Sequence, residues 1–545
     1  MSRTRDHGTG GRLAIIGAGS SGLVTLKYAL DRLAGWQVVC YEASDSTRGC
    51  WGFPYRGFVS TTTKYTTQFA CYPVYDAVMQ SDDDRGYEEF FRDDEYGRYL
   101  DAFAQAHGLR DYIGLGQRVR RVDRVGASGG WRLTVVDKAS GAERLERFDA
   151  VIMATGLVAD QPALSCDIPQ LTSDAIYRHG AIESTRNQRV VVVGGGESAV
   201  DHAARLADPA LGNQVVMSLR SGIRVSPRYH PIRGVPSDFL RNRFMLAINR
   251  DFRNAIGQRF VEARIRYREW FERAFGGGGR EADATASAAR RREWDFRLTR
   301  AAKDELFSVF HNKSDDFLDR VGDGRIEIVG PAIDDSYRVY RGFDSSDQHC
   351  IEPDLMVPAI GYRSTLSELT DGQVRLRDCY LGCCPVAFDD LFVVGFARPI
   401  IGNIPAISEM QARYIIGQLA GDHARPSDLA ERHRCERDEQ ERHYPRIDQD
   451  AVYPVEMFPY CDQLAREMGV SPWPSWWRSP RRWIRVNLAP ASTMHYDPDD
   501  ESARRLTDRA PVYMPPVLIA LLALLRLPSS VYSGCQRLFA RRHLG

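Results

Sequence analysis

No apolar run in this chain is long enough to cross a bilayer. The longest, Pro516 to Leu525, has about nine apolar residues where roughly twenty are needed. A buried C-terminal helix is the expected reading of it. The alternative is peripheral contact with a membrane or a lipid substrate, assisted by Arg526, Arg537, Arg541 and Arg542. An excess of one charge is also missing: Lys plus Arg is 72, Asp plus Glu is 72 and the formal net charge is 0, which argues against a nucleic-acid partner. The 11 cysteines contain no Cys-x-x-Cys and no regular secreted framework, and their odd number fits reduced thiols. Only Cys379, Cys383 and Cys384 cluster, and without further soft ligands they read as chance neighbours near a turn, not as a metal knot. Met1 to Gly11 is polar and offers no secretory apolar region, so a cytoplasmic protein is expected.

The sequence is globular in composition, with 43% apolar and 26% charged residues, and 545 residues are too many for one ordinary core. Its informative stretch opens at Arg12. A short apolar run leads into Gly17-Ala-Gly19-Ser20-Ser-Gly22, and Leu23, Leu26, Leu30 and Leu33 then recur at helical spacing. Strand, glycine turn and helix in that order make a dinucleotide cradle. Gly17 permits the turn, Gly19 lets the backbone approach a pyrophosphate, and Gly22 lets helix and strand pack closely. The next strand, Trp36 to Tyr41, ends in Glu42, twenty residues after Gly22. A carboxylate there accepts ribose hydroxyls and repels a 2′-phosphate, so this site reads as FAD or NAD, against NADP.

A second unit follows at Arg189 to Val193 with Gly194-Gly-Gly196-Glu-Ser198-Ala199, where Ala199 is small enough for helix packing. Its second strand, Gln214 to Leu219, ends in Arg220, whose paired donors suit a ribose 2′-phosphate. Strand ends of opposite charge imply two dinucleotides, FAD first and NADPH second. Phe148 to Gly156 reads as the strand closing the first unit, and Pro353 to Tyr362 as the strand closing the second. Leu391 to Gly395 and a helix beginning near Pro405 then return to the first. The fold expected is α/β, with two Rossmann-like dinucleotide-binding domains. A discontinuous FAD domain (1–165 and 355–470) receives an inserted NADPH domain (166–354). A helical insertion at about 251–316, broken by Gly276 to Gly279, and a C-terminal extension (471–545) complete it.

Together these elements resemble the class B flavin-dependent monooxygenases, and most closely their flavin-containing monooxygenase branch, over the chain to about Val470. Gly49-Cys50-Trp51 is similar to the end of the family's Gly-Gly-x-Trp segment, with Arg48 in place of the first glycine, so Arg48 is expected to crowd or recharge the flavin edge. Ser60 to Lys64 and Phe69 to Pro73 are similar to the Asn-Thr-Ser-Lys and Phe-Ser-Asp-Phe-Pro elements, with Thr61 where the family has its asparagine. Glu409-x-Gln411-Ala-Arg413 also sits in a family-like context. The family's segment before the second fingerprint is rearranged here: Ile176 to Glu183 carries His179, read either as a linker hydrogen-bonder or as a solvent-exposed residue. The resemblance implies cofactor contacts from Gly17, Gly19, Ser20, Gly22, Glu42, Arg48, Trp51 and Thr63, and from Thr155, Gly156, Gly395 and Gln411. On the second unit it implies them from Gly194, Gly196, Ser198, Ala199 and Arg220, and it puts the oxygen chemistry at Thr61 and Thr62.

The activity so implied is NADPH-driven reduction of FAD, reaction with O2 to a C4a-(hydro)peroxyflavin, and oxygenation of a small molecule, expected at an amine nitrogen in specialised metabolism. Sulfur oxygenation and Baeyer–Villiger attack on a carbonyl are the alternatives, with a disulfide reductase or a non-enzymatic redox sensor behind them. A reductase needs a cysteine pair beside the flavin, and Cys50 has no such partner in sequence. Oligomerisation is left open. Trp473, Trp476 and Trp477 are expected to pack within the C-terminal extension, the alternative being a pocket wall.

Overall fold

The structure, a computed structural model, describes residues 10–526 apart from 53–56, 80–85, 127–128, 159–160, 231–232, 268–269, 271–285, 303–305, 307, 309, 475 and 498. The chain divides into two compact units, residues 1–160 with 362–512, and residues 161–361 with 513–545.

The first unit is built on a five-stranded sheet, ordered Leu391–Val393, Ala150–Met153, Arg12–Ile16, Gln37–Tyr41, Ile113–Gly114, and parallel throughout. Leu13, Ala14, Ile15, Val151 and Ile152 have no exposed surface. Covering both faces of a parallel sheet accounts for their unbroken apolar runs. The helix Ser20–Arg32 packs against the helix Ile404–Ala420, and Ser21 Oγ meets Ser408 Oγ at 2.9 Å where the two approach. The latter helix starts on Asn403, whose side chain accepts from the Ala406 amide at 3.0 Å, carries Pro405 in its first turn, and stops at Gly421 in a left-handed conformation. A three-stranded antiparallel sheet, Gln117–Arg124, Trp131–Asp137 and Glu143–Phe148, branches from this core.

The second unit holds a four-stranded parallel sheet, ordered Ile326–Val329, Gln214–Ser218, Arg189–Val193, Leu355–Pro358, with the helix Glu197–Leu206 after its glycine turn. Within the stretch 251–316 lie the helices Arg250–Arg266, which begins one residue before it, and Ala286–Ala301. The glycine run 276–279 between them lies outside the described residues. A Cβ on Gly222 would come within 2.1 Å of the Leu298 carbonyl oxygen, so that glycine seats the second helix. His179 closes the short helix Ser173–His179 and faces solvent.

The C-terminal region departs from expectation in three places. Residues 471–512 belong to the first unit, and Thr493 and Tyr496 are fully enclosed in its core. Tyr496 donates to Asp462 Oδ1 at 2.6 Å and its carbonyl accepts from Arg413 Nη2 at 3.2 Å. The helix at 516–526 is not buried: Val517, Leu521 and Leu524 are 76%, 50% and 68% exposed, although residues 517–525 are apolar on every face of the helix. Nor do the tryptophans pack inward, since Trp476 and Trp477 are 63% and 67% exposed. Among the described residues no helix is long and apolar enough to cross a membrane.

Candidate functional site

The first glycine turn is shaped by contacts that leave no room for side chains. Gly17 has φ +102°, and a Cβ there would lie 2.4 Å from the Ala154 carbonyl oxygen. One on Gly22 would lie 1.8 Å from the Gly17 carbonyl oxygen. Gly19 caps the helix Ser20–Arg32 with no side-chain cap and no acid in the first turn, so the helix's first amides are open to an anion. Its backbone faces that of Gly49 (φ +55°), where an added Cβ would stand 3.0 Å from Gly19 Cα. Two glycines back to back make a cradle that fits the pyrophosphate of a dinucleotide. Glu42 is fixed beside it: Oε2 accepts from the Ala18 amide at 2.7 Å, and Oε1 from the amide and hydroxyl of Ser44, both at 2.8 Å. Oε2, which takes one bond, keeps lone-pair capacity for a ribose hydroxyl.

Arg48 does not bring an unanswered charge to this site. Its Nε and Nη2 donate to Asp101 Oδ2 at 2.9 and 2.6 Å, and its side chain lies over Gly97, where a Cβ would stand 2.9 Å from Arg48 Cδ. Helix Glu95–Ala106 thus takes the guanidinium that sequence comparison aimed at the flavin edge. Trp51 packs edge-on to Tyr96 at 4.7 Å and to Phe58 at 5.7 Å.

Along the strand Val59–Thr63 the hydroxyls divide sharply. Ser60 Oγ donates to the Thr62 carbonyl at 2.7 Å and accepts from the Phe91 amide at 3.0 Å. Thr62 Oγ1 meets Thr67 Oγ1 at 2.9 Å, and Thr63 Oγ1 meets Thr66 Oγ1 at 3.0 Å, closing the short helix Lys64–Thr67. Lys64 pairs with Glu95 at 3.0 Å. Thr61 is half-buried and its hydroxyl has no partner among the described residues. Of the two threonines expected at the oxygen chemistry, Thr61 is open to a ligand and Thr62 is engaged within the fold.

Gln411 is likewise engaged. Its Oε1 accepts from the Gly395 amide at 3.0 Å and its Nε2 donates to the Tyr460 hydroxyl at 2.8 Å, so it acts through the Gly395 turn (φ +88°) and leaves no free end for a cofactor. Gly395 in turn lies close to the first helix, an added Cβ standing 2.3 Å from Ser21 Oγ. Thr155 Oγ1 meets Thr365 Oγ1 at 3.1 Å, and Gly156 (φ +82°) is open-faced.

Sequence reasoning placed Glu409 in a motif without giving it a task. Fully buried, it accepts from the amides of Ala70 at 2.5 Å and Cys71 at 2.9 Å and from the Tyr28 hydroxyl at 3.1 Å, clamping the turn behind the threonine strand. Burial, and then the Glu409 carboxylate, push the Cys71 thiol well above its ordinary range. Burial does the same to Cys379 and Cys383. Cys383 Sγ and Cys384 Sγ lie 3.8 Å apart, and a Cys383 thiol so enclosed lacks the thiolate character a redox pair needs.

In the second unit Gly194 has φ +132°, with the Ala359 carbonyl oxygen 2.2 Å from where its Cβ would be. Gly196 caps the helix Glu197–Leu206 with no side-chain cap and open space around it; Ser198 is half-buried and Ala199 fully buried behind it. Asn312 Nδ2 donates to the Gly195 carbonyl at 2.9 Å, a brace 117 residues away in sequence. Arg220 stands exposed one residue beyond Leu219 with no ion-pair or hydrogen-bond partner among the described residues.

Residues 10–280, which include both glycine turns, match the family model described as FMO-like, flavin-binding monooxygenase-like. The chain is 25% identical over 521 residues to 4-hydroxybenzoate brominase (decarboxylating) of Marinomonas mediterranea, covering 90% of this chain and 92% of that one. It is 26% identical over 442 residues to flavin-containing monooxygenase 5 of Rattus norvegicus, covering 76% and 74%. Its fold is similar to that of S-allyl-L-cysteine S-oxygenase from Allium sativum, with TM-score 0.54 at 18% identity over 96% of this chain and 99% of that one.

Proposed function

We propose that this chain, a member of the flavin-binding monooxygenase-like family through its residues 10–280, is an NADPH- and FAD-dependent monooxygenase that oxygenates the amine nitrogen of a small molecule. Bound FAD, reduced by NADPH, supplies the two electrons with which one atom of O2 enters the product and the other leaves as water. Gly17, Gly19 and Gly22, with Gly49 opposite, hold the FAD pyrophosphate on the open helix end, and Glu42 accepts its ribose hydroxyl. Gly194 and Gly196 do the same for NADPH, and Arg220, without a partner among the described residues, takes the 2′-phosphate. Glu409, Gln411 and Asn312 hold turns in place. The cytoplasm is the proposed compartment, in keeping with ten free thiols among the described residues.

The observation that carries the choice of atom is Thr61. Thr61 offers a neutral hydroxyl without a partner among the described residues, while Lys64, just after the strand, is tied to Glu95. A neutral donor suits oxygen delivered as an electrophile to a lone pair, not as an anion attacking a carbonyl. The flavin-loaded enzyme, given NADPH and isotopically labelled O2, should place label on a primary or tertiary amine. A thioether, a cyclic ketone, and 4-hydroxybenzoate with bromide are the competing substrates. Faster labelling of the ketone-derived ester or the thioether, or a brominated phenol, would move the assignment, and NADPH consumption yielding only hydrogen peroxide with every substrate would remove it.

A further inference from the structure

Between Glu467 and Asp497 the sequence has no acidic residue, and within this interval Ser471 to Leu488 carries four of the nine tryptophans and four arginines. Trp473, Trp476, Trp477 and Ile484 are 43%, 63%, 67% and 44% exposed, and Arg478 and Arg481 are exposed among them. Trp476 and Trp477 lie edge to face at 5.8 Å, in contact with each other at the surface. The segment is nonetheless anchored. The helix Pro480–Leu488 buries Val486 and Asn487, and Arg485 Nη1 donates to the Ala510 carbonyl at 2.6 Å, so the helix is held from below and presents its other residues outward.

Two features of this face select its partner. Arg478 and Arg481 flank the start of the helix, whose first turn has no acid and no side-chain cap, so positive side chains sit at the positive end of the helix dipole, a place that favours an anion. The apolar groups beside them are mainly indoles, which combine a large ring with a polar N–H and favour the boundary between headgroups and acyl chains. A second copy of this chain docking symmetrically on the same face would set arginine against arginine, which opposes self-association there. A surface of phospholipid phosphates meets both demands at once. We propose that the face formed by Trp473, Trp476, Trp477, Arg478, Arg481 and Ile484 docks this protein on an anionic phospholipid bilayer.

The test uses the full flavin-loaded chain with vesicles of phosphatidylcholine, with or without about a quarter phosphatidylglycerol. The wild type should co-sediment with the anionic vesicles alone, its tryptophan emission should shift to the blue, and bromine-labelled acyl chains should quench it. The W476A/W477A variant should lose the blue shift and most of the binding. In R478E/R481E each reversed arginine should lower the partition coefficient about fivefold or more. Both variants should retain wild-type flavin content and NADPH oxidation, since neither pair touches the glycine turns or the threonine strand. Failure of the wild type to co-sediment, or undiminished vesicle binding by both variants, overturns the proposal. So does a change of oligomeric state in the variants without any vesicle binding by the wild type, which would make the face a protein interface.

Discussion

Thr61→Val separates a residue that serves a ligand from one that serves the fold. Valine matches threonine in shape and removes only the hydroxyl, and that hydroxyl makes no hydrogen bond within the described residues. No internal bond is lost, so the stability change should stay within about 0.5 kcal/mol. If the hydroxyl donates to oxygen during turnover, its loss removes a neutral hydrogen bond of about 1 kcal/mol, a factor of about five in the ratio of oxygenated product to hydrogen peroxide. Thr63→Val is the contrasting perturbation. Thr63 is fully buried and its Oγ1 meets Thr66 Oγ1 at 3.0 Å, so valine strips a buried partner and should cost about 1–3 kcal/mol. The assay measures NADPH oxidised, product formed and peroxide released in one reaction, beside the temperature at which flavin fluorescence appears on release. Thr61→Val should change the partition and not the release temperature; Thr63→Val should lower the release temperature. If Thr61→Val leaves the partition untouched and lowers the release temperature as Thr63→Val does, Thr61 is a packing residue and the reasoning fails.

Arg220→Ala should lower kcat/KM for NADPH about tenfold or more through loss of a charge-assisted phosphate contact, with little change for NADH; equal losses in flavin-reduction kinetics would exclude the role. Glu409→Gln turns an NH2 group toward an amide N–H of Ala70 or Cys71, or toward the Tyr28 hydroxyl, and should destabilise the first unit by about 3–5 kcal/mol, read as earlier flavin release in a thermal ramp. His202 is held neutral by burial, to a lesser extent countered by Asp201, with its pKa pushed down to about 4 from 6.5. It has no effect on stability above pH 6.5, but as pH falls toward 4 the unfolded chain takes a proton the fold refuses, and about 3 kcal/mol is lost. His202→Leu should recover much of that acid-induced loss in denaturant titrations of the isolated chain between pH 7 and 4, whereas a wild-type slope in the variant would place the loss elsewhere.

What the sequence disclosed was local. Gly17, Gly194, Glu42 and Arg220 stand where strand ends and first helical turns demand particular residues, so spacing alone located them. Gly49, Asn312 and Glu409 act across 30, 117 and 339 residues, on Gly19, Gly195 and Ala70, and no period or turn rule connects such positions. Thr61 and Thr62 are chemically identical in a row of threonines, and only closure of the helix Lys64–Thr67 tells them apart. The apolar run at 516–525 and the tryptophans near 476 were read as core because composition records how apolar a segment is but not which face meets a neighbour.

The sheet order of the first unit sets a timetable for its synthesis. Strand Ala150–Met153 receives its outer neighbour only when Leu391–Val393 has been made, some 240 residues (393 minus 153) later. At about 5–20 residues per second the ribosome takes roughly 12–50 s over that interval. The four-stranded sheet of the second unit, complete by Pro358, is made during the wait. The nascent N-terminal third must meanwhile keep Leu23, Val24 and Leu26 without the helix Ile404–Ala420 that will cover the helix bearing them. A chain arrested near residue 360 should therefore carry one finished nucleotide cradle, the second in sequence, and an apolar helix face that recruits a chaperone. Stable flavin retention should begin only after residue 420 has left the exit tunnel.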